Sequence, residues 1–370
     1  MNIINLYENY FDEETKKIFE KLSDYNIYLV GGLVRDMLLN RSSKDIDITF
    51  EGNAIELANE LDCEIISIHE DFGTVKIKIN GINIDLASTR TESYPRRGHL
   101  PVVEKIGCTL KEDILRRDFT VNTLALCLNK NNFANIIDYT GGLNDLKNKT
   151  IRILHDKSFT DDPSRILRGL KYASRLGFNL DIKTLELQKK YLDNINYDMS
   201  YSRILNEFYR IDWTLDVFKA FIEQGIYKLI NPNIKKDFDF WTDFKTPLIY
   251  LGLLLPDDRF ELSKRDREII EAVKTNNKMF KTDFEIYKTF SKQELEVAQI
   301  LSILKNENAK HYLKDLKDIK VLTGGRDLIE LGLTPSKKFS QIFDYILIKK
   351  LEKPNMTKEE ELAIIKQIYV

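Results

Sequence analysis

The sequence predicts an α+β unit followed by a mostly α-helical remainder. Up to about Thr140, short runs rich in β-branched residues alternate with segments of helical period. After Gly141-Gly142 the helical period dominates to the end and strand patterns nearly vanish.

The strands are expected at Asn26–Val30, Ile46–Phe50, Ile65–His69, Val75–Ile79 and Ile82–Ala87, each with partial alternation of apolar and polar residues. Asn80-Gly81 between two of these runs marks a hairpin, because both central residues of such a turn need positive φ. Gly73 is placed in a turn. Helices fit Glu13–Ser23, Leu33–Leu39 and Ala54–Leu61. In the helical part Pro232, Pro247 and Pro256 mark loops, and Thr323-Gly324-Gly325 breaks the pattern before a last helical stretch. The sequence contains no internal repeat and no low-complexity segment.

At 370 residues the chain is too long for one ordinary core. Its 43% hydrophobic and 31% charged residues exclude a disordered chain. The net charge of -2 lends no support to nucleic-acid binding, so any such site must rest on local basic patches. Cys63, Cys108 and Cys127 lack zinc or CxxC spacing and read as free thiols of a reducing compartment. The N-terminus has no basic-then-apolar pattern, and the longest apolar run, Leu248 to Leu255, is too short to span a bilayer. A cytoplasmic location is expected, with no membrane association.

Three constellations carry chemistry. The first is Val30-Gly31-Gly32-Leu33-Val34-Arg35-Asp36, followed by Lys44-Asp45-Ile46-Asp47. Glycines let a phosphate approach the backbone, and a helix N-terminus offers free N–H groups. Asp45 and Asp47, at i and i+2 on a strand, would share one face and suit a hard divalent cation. Two metals held this way can activate a 3′ hydroxyl and stabilise a pyrophosphate leaving group. Alone, Gly-Gly is commonly a tight turn and Asp-x-Asp a solvated strand edge; in this order and spacing they point to a phosphoryl-transfer site. Asp85, in Ile84-Asp85-Leu86, is a candidate third carboxylate; its apolar flanks also fit a solvent-facing aspartate.

The second constellation is Leu115-Arg116-Arg117-Asp118-Phe119-Thr120-Val121-Asn122-Thr123. Adjacent arginines can clamp phosphates, and Asp118 could orient one of them by an ion pair. In isolation this is also an ordinary surface charge cluster. The third is Asp161-Asp162-Pro163-Ser164-Arg165-Ile166-Leu167-Arg168. Pro163 fits a first helical turn with Asp161 or Asp162 near the N-cap, and 162, 165 and 168–169 would lie on one face. Asp162 can accept and Arg165 can donate, a pattern complementary to a base edge. A capped helix with an ion pair is the plainer alternative; Ile166, Leu170, Ala173 and Leu176 give the opposite face a core role. His69, His99, His155 and His311 have no ligand spacing, and His155-Asp156 reads as a turn. Trp213 and Trp241 read as core.

In this order the constellations resemble the bacterial-type (class II) tRNA nucleotidyltransferase and poly(A) polymerase family. The likeness runs through Leu29–Asp36, Asp45-x-Asp47, Arg116–Thr123, Asp138-Tyr139-Thr140-Gly141-Gly142-Leu143-Asn144-Asp145-Leu146 and Asp161–Phe178, over about the first 210 residues. Ser202–Glu207 looks like the following helix, and Thr323–Leu328 with Leu333-Thr334-Pro335 resembles the tail of some members more loosely. The resemblance implies a polymerase-β-like nucleotidyltransferase head over 1–140, a neck over 141–200 that recognises the base, a helical body over 201–265 and a helical tail over 266–370 that binds tRNA. It implies Mg²⁺ as cofactor, with Asp45 and Asp47 as metal ligands and catalytic residues; Asp85, from its place on the paired strand, is the third catalytic candidate. Gly31, Gly32, Arg35, Arg116, Arg117, Asp118, Asn122, Asp162, Arg165 and Arg168 are then the nucleotide-binding residues. Gly141-Gly142 falls in a segment that the family uses as a spring between head and neck. Thr89 to Pro101 looks like the family's flexible loop, whose presence disfavours an enzyme that adds only C. Two positions depart from the family pattern: Asp161 stands where glutamate is usual, and Thr123 where alanine is usual.

The expected activity is the addition of CCA, or part of it, to the tRNA 3′ acceptor end from CTP and ATP, without a nucleic-acid template and with release of pyrophosphate. No protein partner is expected. Within the class the alternative is an A-adding enzyme or a poly(A) polymerase. Outside it stand a non-catalytic RNA-binding protein and a small-molecule nucleotidyltransferase. Intact Asp45 and Asp47 oppose the first. The long helical half, with Lys264-Arg265-Asp266-Arg267 and the Lys274–Lys281 cluster, opposes the second.

Overall fold

The structure, a computed structural model, describes residues 3–43, 45–195 and 197–370. The chain divides into two compact units, Met1–Asp212 with Glu223–Ile226, and Trp213–Ile222 with Tyr227–Val370.

In the first unit, helices α1 (Ile3–Tyr10) and α2 (Glu13–Leu22) precede the sheet. Helix α2 starts where the Asp12 carboxylate accepts from the Thr15 amide at 2.7 Å. Then follow β1 (Ile27–Val30), α3 (Gly32–Leu38), β2 (Ile46–Phe50), α4 (Ala54–Glu60), β3 (Glu64–His69), β4 (Thr74–Ile79) and β5 (Ile82–Ser88). These agree with the expected strands and helices within a residue or two. Asn80 and Gly81 both adopt positive φ (51° and 84°), as the hairpin between β4 and β5 requires.

Several elements carry no strong sequence pattern and appear only in the structure: α1, β6 (Arg90–Ser93), β7 (Val102–Ile106), α5 (Leu110–Leu115), β8 (Ala125–Cys127) and β9 (Ile136–Ile137). Helix α5 is set by a reciprocal cap between Thr109 and Glu112. Strands β8 and β9 are too short to show a period.

The seven-stranded sheet has the order β3-β4-β5-β2-β1-β8-β9. Strands β2 and β5 run parallel, and the other neighbours are antiparallel. Val75, Ile77, Ile79, Ile84, Leu86 and Ile48 are buried on one face, which α4 helps to cover through its contacts with β4 and β5. The alternate residues Asp47, Thr49, Thr74, Lys76, Asp85 and Ala87 therefore occupy the other face.

The chain continues through α6 (Gly142–Lys147), β10 (Thr150–Ile151), α7 (Ser158–Asp161), α8 (Ser164–Leu176), β11 (Asn179–Leu180), α9 (Ile182–Leu192) and α10 (Tyr201–Tyr209). Strands β10 and β11 form a small parallel pair that helical periodicity conceals. Gly177, at φ 69°, ends α8.

The second unit contains α11 (Leu215–Glu223, whose last residue belongs to the first unit), α12 (Pro247–Leu254), α13 (Lys264–Asn276), α14 (Asp283–Phe290), α15 (Leu295–Ile303), α16 (Glu307–His311), α17 (Gly325–Glu330), α18 (Lys338–Glu352) and α19 (Lys358–Tyr369). Pro247 begins a helix instead of marking a loop, its missing N–H costing nothing in a first turn. The apolar run from Leu248 is this buried helix, α12, which packs on α13 and α15. Trp213 is buried and stacks on Tyr250 with ring centroids 5.2 Å apart. Trp241, expected in the core, is instead half exposed, its ring edge against Phe244. A buried Lys350–Glu361 pair ties α18 to α19, and Glu361 also accepts from the amides of Leu322 and Thr323 before α17. No helix among the described residues is long and apolar enough to cross a membrane.

Candidate active site

A cleft of about 990 Å³ opens on the uncovered face of the sheet in the first unit. Eleven of the thirteen residues singled out from the sequence line it: Gly31, Gly32, Asp47, Asp85, Arg116, Arg117, Asp118, Asn122, Asp162, Arg165 and Arg168. Asp45 and Arg35 are not among its lining.

The acidic centre follows from strand register. Asp47 on β2 and Asp85 on β5 are direct partners across the parallel pair. The apolar flanks of Asp85 are thus the buried face of its strand, and Asp85 stands beside Asp47. Asp45 is exposed and lies one residue before β2 begins, so it is not on the strand as expected. Burial pushes the Asp47 carboxyl up to about 6, and the negative charges of Asp85 and then Asp45 add to that rise. Carboxylates that repel one another in this way are stabilised by a cation. Among the described residues no group of three or more acidic, imidazole or thiolate side chains is placed to hold a metal ion. The Asp47–Asp85 pair, with its remaining positions left to water and phosphate oxygens, is of the donor type that suits a hard divalent ion.

The opposite side of the cleft, where a phosphate is expected, is built at the junction of β1 and α3. Gly31 has φ 67°, a conformation that L side chains rarely adopt, and a Cβ there would lie 3.5 Å from an Arg117 guanidinium nitrogen. The two arginines are oriented by Asp113, not by Asp118. Asp113, fully buried on α5, accepts from Arg116 Nε and Nη2 at 3.0 and 2.6 Å and from Arg117 Nε and Nη2 at 3.2 and 2.8 Å. Burial alone would raise the Asp113 carboxyl, but the Arg117 and Arg116 charges outweigh it and hold it below the usual range. Arg116 also donates to Glu92 at 3.1 Å and to the Arg90 carbonyl. Neither Asp113 nor Glu92 was singled out from the sequence. Asp113 lies i,i+3 and i,i+4 from the arginine pair within a helical stretch, a spacing that could have revealed it.

Asp118 turns the other way. Its carboxylate accepts from Arg168 Nε and Nη2 at 2.8 and 2.5 Å and from Asn122 Nδ2 at 3.1 Å. Burial opposes ionisation there, yet Arg168 prevails and the carboxyl falls to about 2. Arg168 donates further to Glu207 and to the Tyr172 hydroxyl. Arg35 sits beneath the cleft, almost wholly buried. It pairs with Asp36 at 2.8 Å and donates to Asn122, so it positions Asn122 rather than facing a ligand.

Asp162 lies just before α8, in extended conformation, not on the helix. One carboxylate oxygen accepts from the Ser164 amide at 3.1 Å and from its hydroxyl at 2.5 Å, and the other pairs with Arg203 of α10. Arg165 is 3.9 Å from that carboxylate and is held by the Ser158 hydroxyl at 2.8 Å and the Arg116 carbonyl at 2.9 Å. The Tyr94 hydroxyl, on the Thr89 to Pro101 segment, accepts from Arg165 at 3.3 Å. That segment includes β6 and connects it to β7, and its tip docks near Ser200: the Ser200 amide donates to the Gly98 carbonyl at 2.9 Å and Arg203 to that of His99 at 3.1 Å. Thr123 hydrogen-bonds through its hydroxyl with the Thr120 carbonyl and the Thr140 hydroxyl, both at 2.6 Å, contacts that an alanine would lack.

Comparison with known proteins shows what the chain is similar to. Residues 27–152 match the poly A polymerase head domain. The chain is 45% identical to an A-adding tRNA nucleotidyltransferase of Aquifex aeolicus over 184 residues, 49% of this chain and 22% of that protein. It is 32% identical over 399 residues to one of Geobacter sulfurreducens, covering 91% of this chain and 44% of that protein. The chain therefore spans less than half the length of these two curated relatives. The structure of a Thermotoga maritima CCA-adding enzyme complexed with tRNA matches with a TM-score of 0.75 and 26% identity, over 99% of this chain and 98% of that one. The cleft and these likenesses point the same way: residues 27–152 match a poly A polymerase head domain, and the chain as a whole is similar to A-adding and CCA-adding tRNA nucleotidyltransferases.

Proposed function

We propose that the chain adds CCA, or part of it, to the 3′ end of tRNA from CTP and ATP, without a template and with release of pyrophosphate. The observation that carries this reading is the meeting, in one cleft, of the Asp47–Asp85 pair with the arginines held by Asp113 and with Asp162 and Arg165. Mg²⁺ is the cation proposed; bound by Asp47 and Asp85, it would supply Lewis acidity for an in-line displacement. The protein's residues do the rest. Gly31 and Gly32 let the triphosphate approach, and Arg116 and Arg117 face its charge. Asp162, with carboxylate lone pairs left to accept, and Arg165, with N–H donors, meet a base edge. C and A present an amino group there, whereas G and U present a carbonyl oxygen and would oppose acceptor to acceptor. The division into head, neck, body and tail at residues 140, 200 and 265 and a cytoplasmic location belong to the same reading.

A second reading, addition of A alone, is favoured by the A-adding names of the Aquifex and Geobacter relatives. Three tRNA transcripts ending before the first C, the second C and the A, offered CTP and ATP separately and together, separate the two. Extension of all three to full length supports CCA addition, extension of only the last supports A addition, and extension of none overturns both.

A further inference from the structure

The register of the sheet lays side chains in rows across the cleft floor. One row is Asp47 on β2, Asp85 on β5, Lys76 on β4 and Ser67 on β3. The next is Thr49, Ala87, Thr74 and His69 on the same strands. All eight line the cleft. The cleft is thus asymmetric about its carboxylates. On the β1 side lie the glycines and Arg117; on the β4–β3 side lie an ammonium, two hydroxyls and an imidazole.

An in-line displacement gives this asymmetry a use. The leaving pyrophosphate belongs on the glycine and arginine side, so the attacking 3′ hydroxyl must arrive from the opposite side. The strand that carries the hydroxyl brings a phosphodiester charge close to Asp85 and Asp47, and a positive group is needed there to offset it. Strands lie about 4.8 Å apart, so Lys76 stands one strand beyond Asp85 and two beyond Asp47. Lys76 is the lysine among the cleft's lining residues, and its Nζ is 3.5 Å from Asp85, a loose ion pair with the lysine side chain more than a third exposed. Such a pair leaves N–H donors for a phosphate oxygen.

We propose that Lys76, flanked by Ser67, Thr74 and His69, seats the last phosphodiester of the acceptor RNA. The assignment rests on the reading of the chain as an RNA 3′-end nucleotidyltransferase. It predicts a contact between one side chain and one linkage, so the test pairs a protein variant with a substrate variant. A tRNA acceptor-stem RNA is made with its terminal phosphodiester either native or replaced by an uncharged methylphosphonate. Each is offered to the wild type, Lys76→Met and Lys76→Arg, with urea unfolding confirming that the variants fold. Fluorescence anisotropy gives the Kd for RNA, and steady-state extension gives KM for RNA and for nucleoside triphosphate.

On native RNA, Lys76→Met should weaken binding and raise the RNA KM about tenfold, the size of one charge-assisted hydrogen bond, with the nucleotide KM unchanged. Lys76→Arg should recover most of the loss. The methylphosphonate should weaken wild-type binding about as much and leave Lys76→Met nearly unaffected. Two penalties that simply multiply would overturn the assignment, and so would a Lys76→Met defect confined to kcat and the nucleotide KM, which would leave Lys76 as the counter-ion of Asp85. A wild type that extends neither RNA overturns instead the reading on which the assignment rests.

Discussion

Asp113→Asn is the most informative single change, because it alters one charge and almost no volume. In the wild type the carboxylate takes four guanidinium hydrogen bonds between 2.6 and 3.2 Å, two from each arginine, and one at 3.2 Å from the Arg90 amide. The asparagine amide nitrogen would point N–H donors at one of the two guanidiniums. Arg116 would keep Glu92 and the Arg90 carbonyl, whereas Arg117 would keep a bond to the Thr49 hydroxyl at 3.5 Å. Removing one partner of a buried pair costs about 3–5 kcal/mol. The guanidiniums are about a fifth exposed, so water recovers some of this and we expect about 3 kcal/mol. Urea unfolding of both proteins measures it. Arg117 should also lose its fixed orientation beside Gly31, which should raise the nucleotide KM about tenfold with the RNA Kd unchanged. A variant within about 0.5 kcal/mol of wild type that also kept its nucleotide KM would refute the claim that Asp113 orients the pair.

Asp47→Ala should abolish nucleotide addition while RNA binding by anisotropy stays close to wild type; metal-dependent addition that survives would remove the carboxylate centre from the mechanism. Asp162→Ala should lower kcat/KM for CTP and ATP without a matching loss for GTP and UTP, since an unmet buried polar group costs about 1–3 kcal/mol; an unchanged preference would place base selection elsewhere. Asp118, depressed to about 2, adds stability that is complete above the ordinary carboxylate range near 3.9 and is lost as pH falls through its folded value. Asp118→Asn should therefore be destabilised near neutrality and show a shallower loss of urea stability on acidification. His311 titrates in the opposite sense. Burial lowers it, but hydrogen bonds to Asp315 and Asp283 prevail and raise it. Its stabilisation is complete below about 6.5 and fades as pH rises through the raised value, so the advantage of wild type over His311→Gln should shrink from pH 6 to pH 8.

Where the physics is local, the sequence was legible. Asn80-Gly81 can hardly be anything but a hairpin, because few residue pairs tolerate its two positive φ angles. The alternation of β4, with Val75, Ile77 and Ile79 against Thr74, Lys76 and Lys78, declares a half-buried strand. Gly31-Gly32 and Asp47, singled out by their local pattern, do line the cleft, whereas Asp45, expected to share the face of Asp47, lies before the strand and outside the cleft lining. The order of the motifs carried the resemblance to tRNA nucleotidyltransferases.

Only the tertiary structure decided which charge meets which. Asp118 is adjacent to Arg117 in sequence, yet its partner is Arg168, fifty residues on, and the arginine pair belongs to Asp113. Asp85 has apolar neighbours and joins Asp47 only because β2 and β5 align in parallel. Arg35 follows the glycine pair and was expected to bind nucleotide, but its charge is held beneath the cleft by Asp36 and Asn122. The reason is the same in each case. Backbone conformation is set by the residue and its near neighbours, whereas an ion pair depends on register and packing between segments far apart in the chain, which no single stretch of sequence encodes.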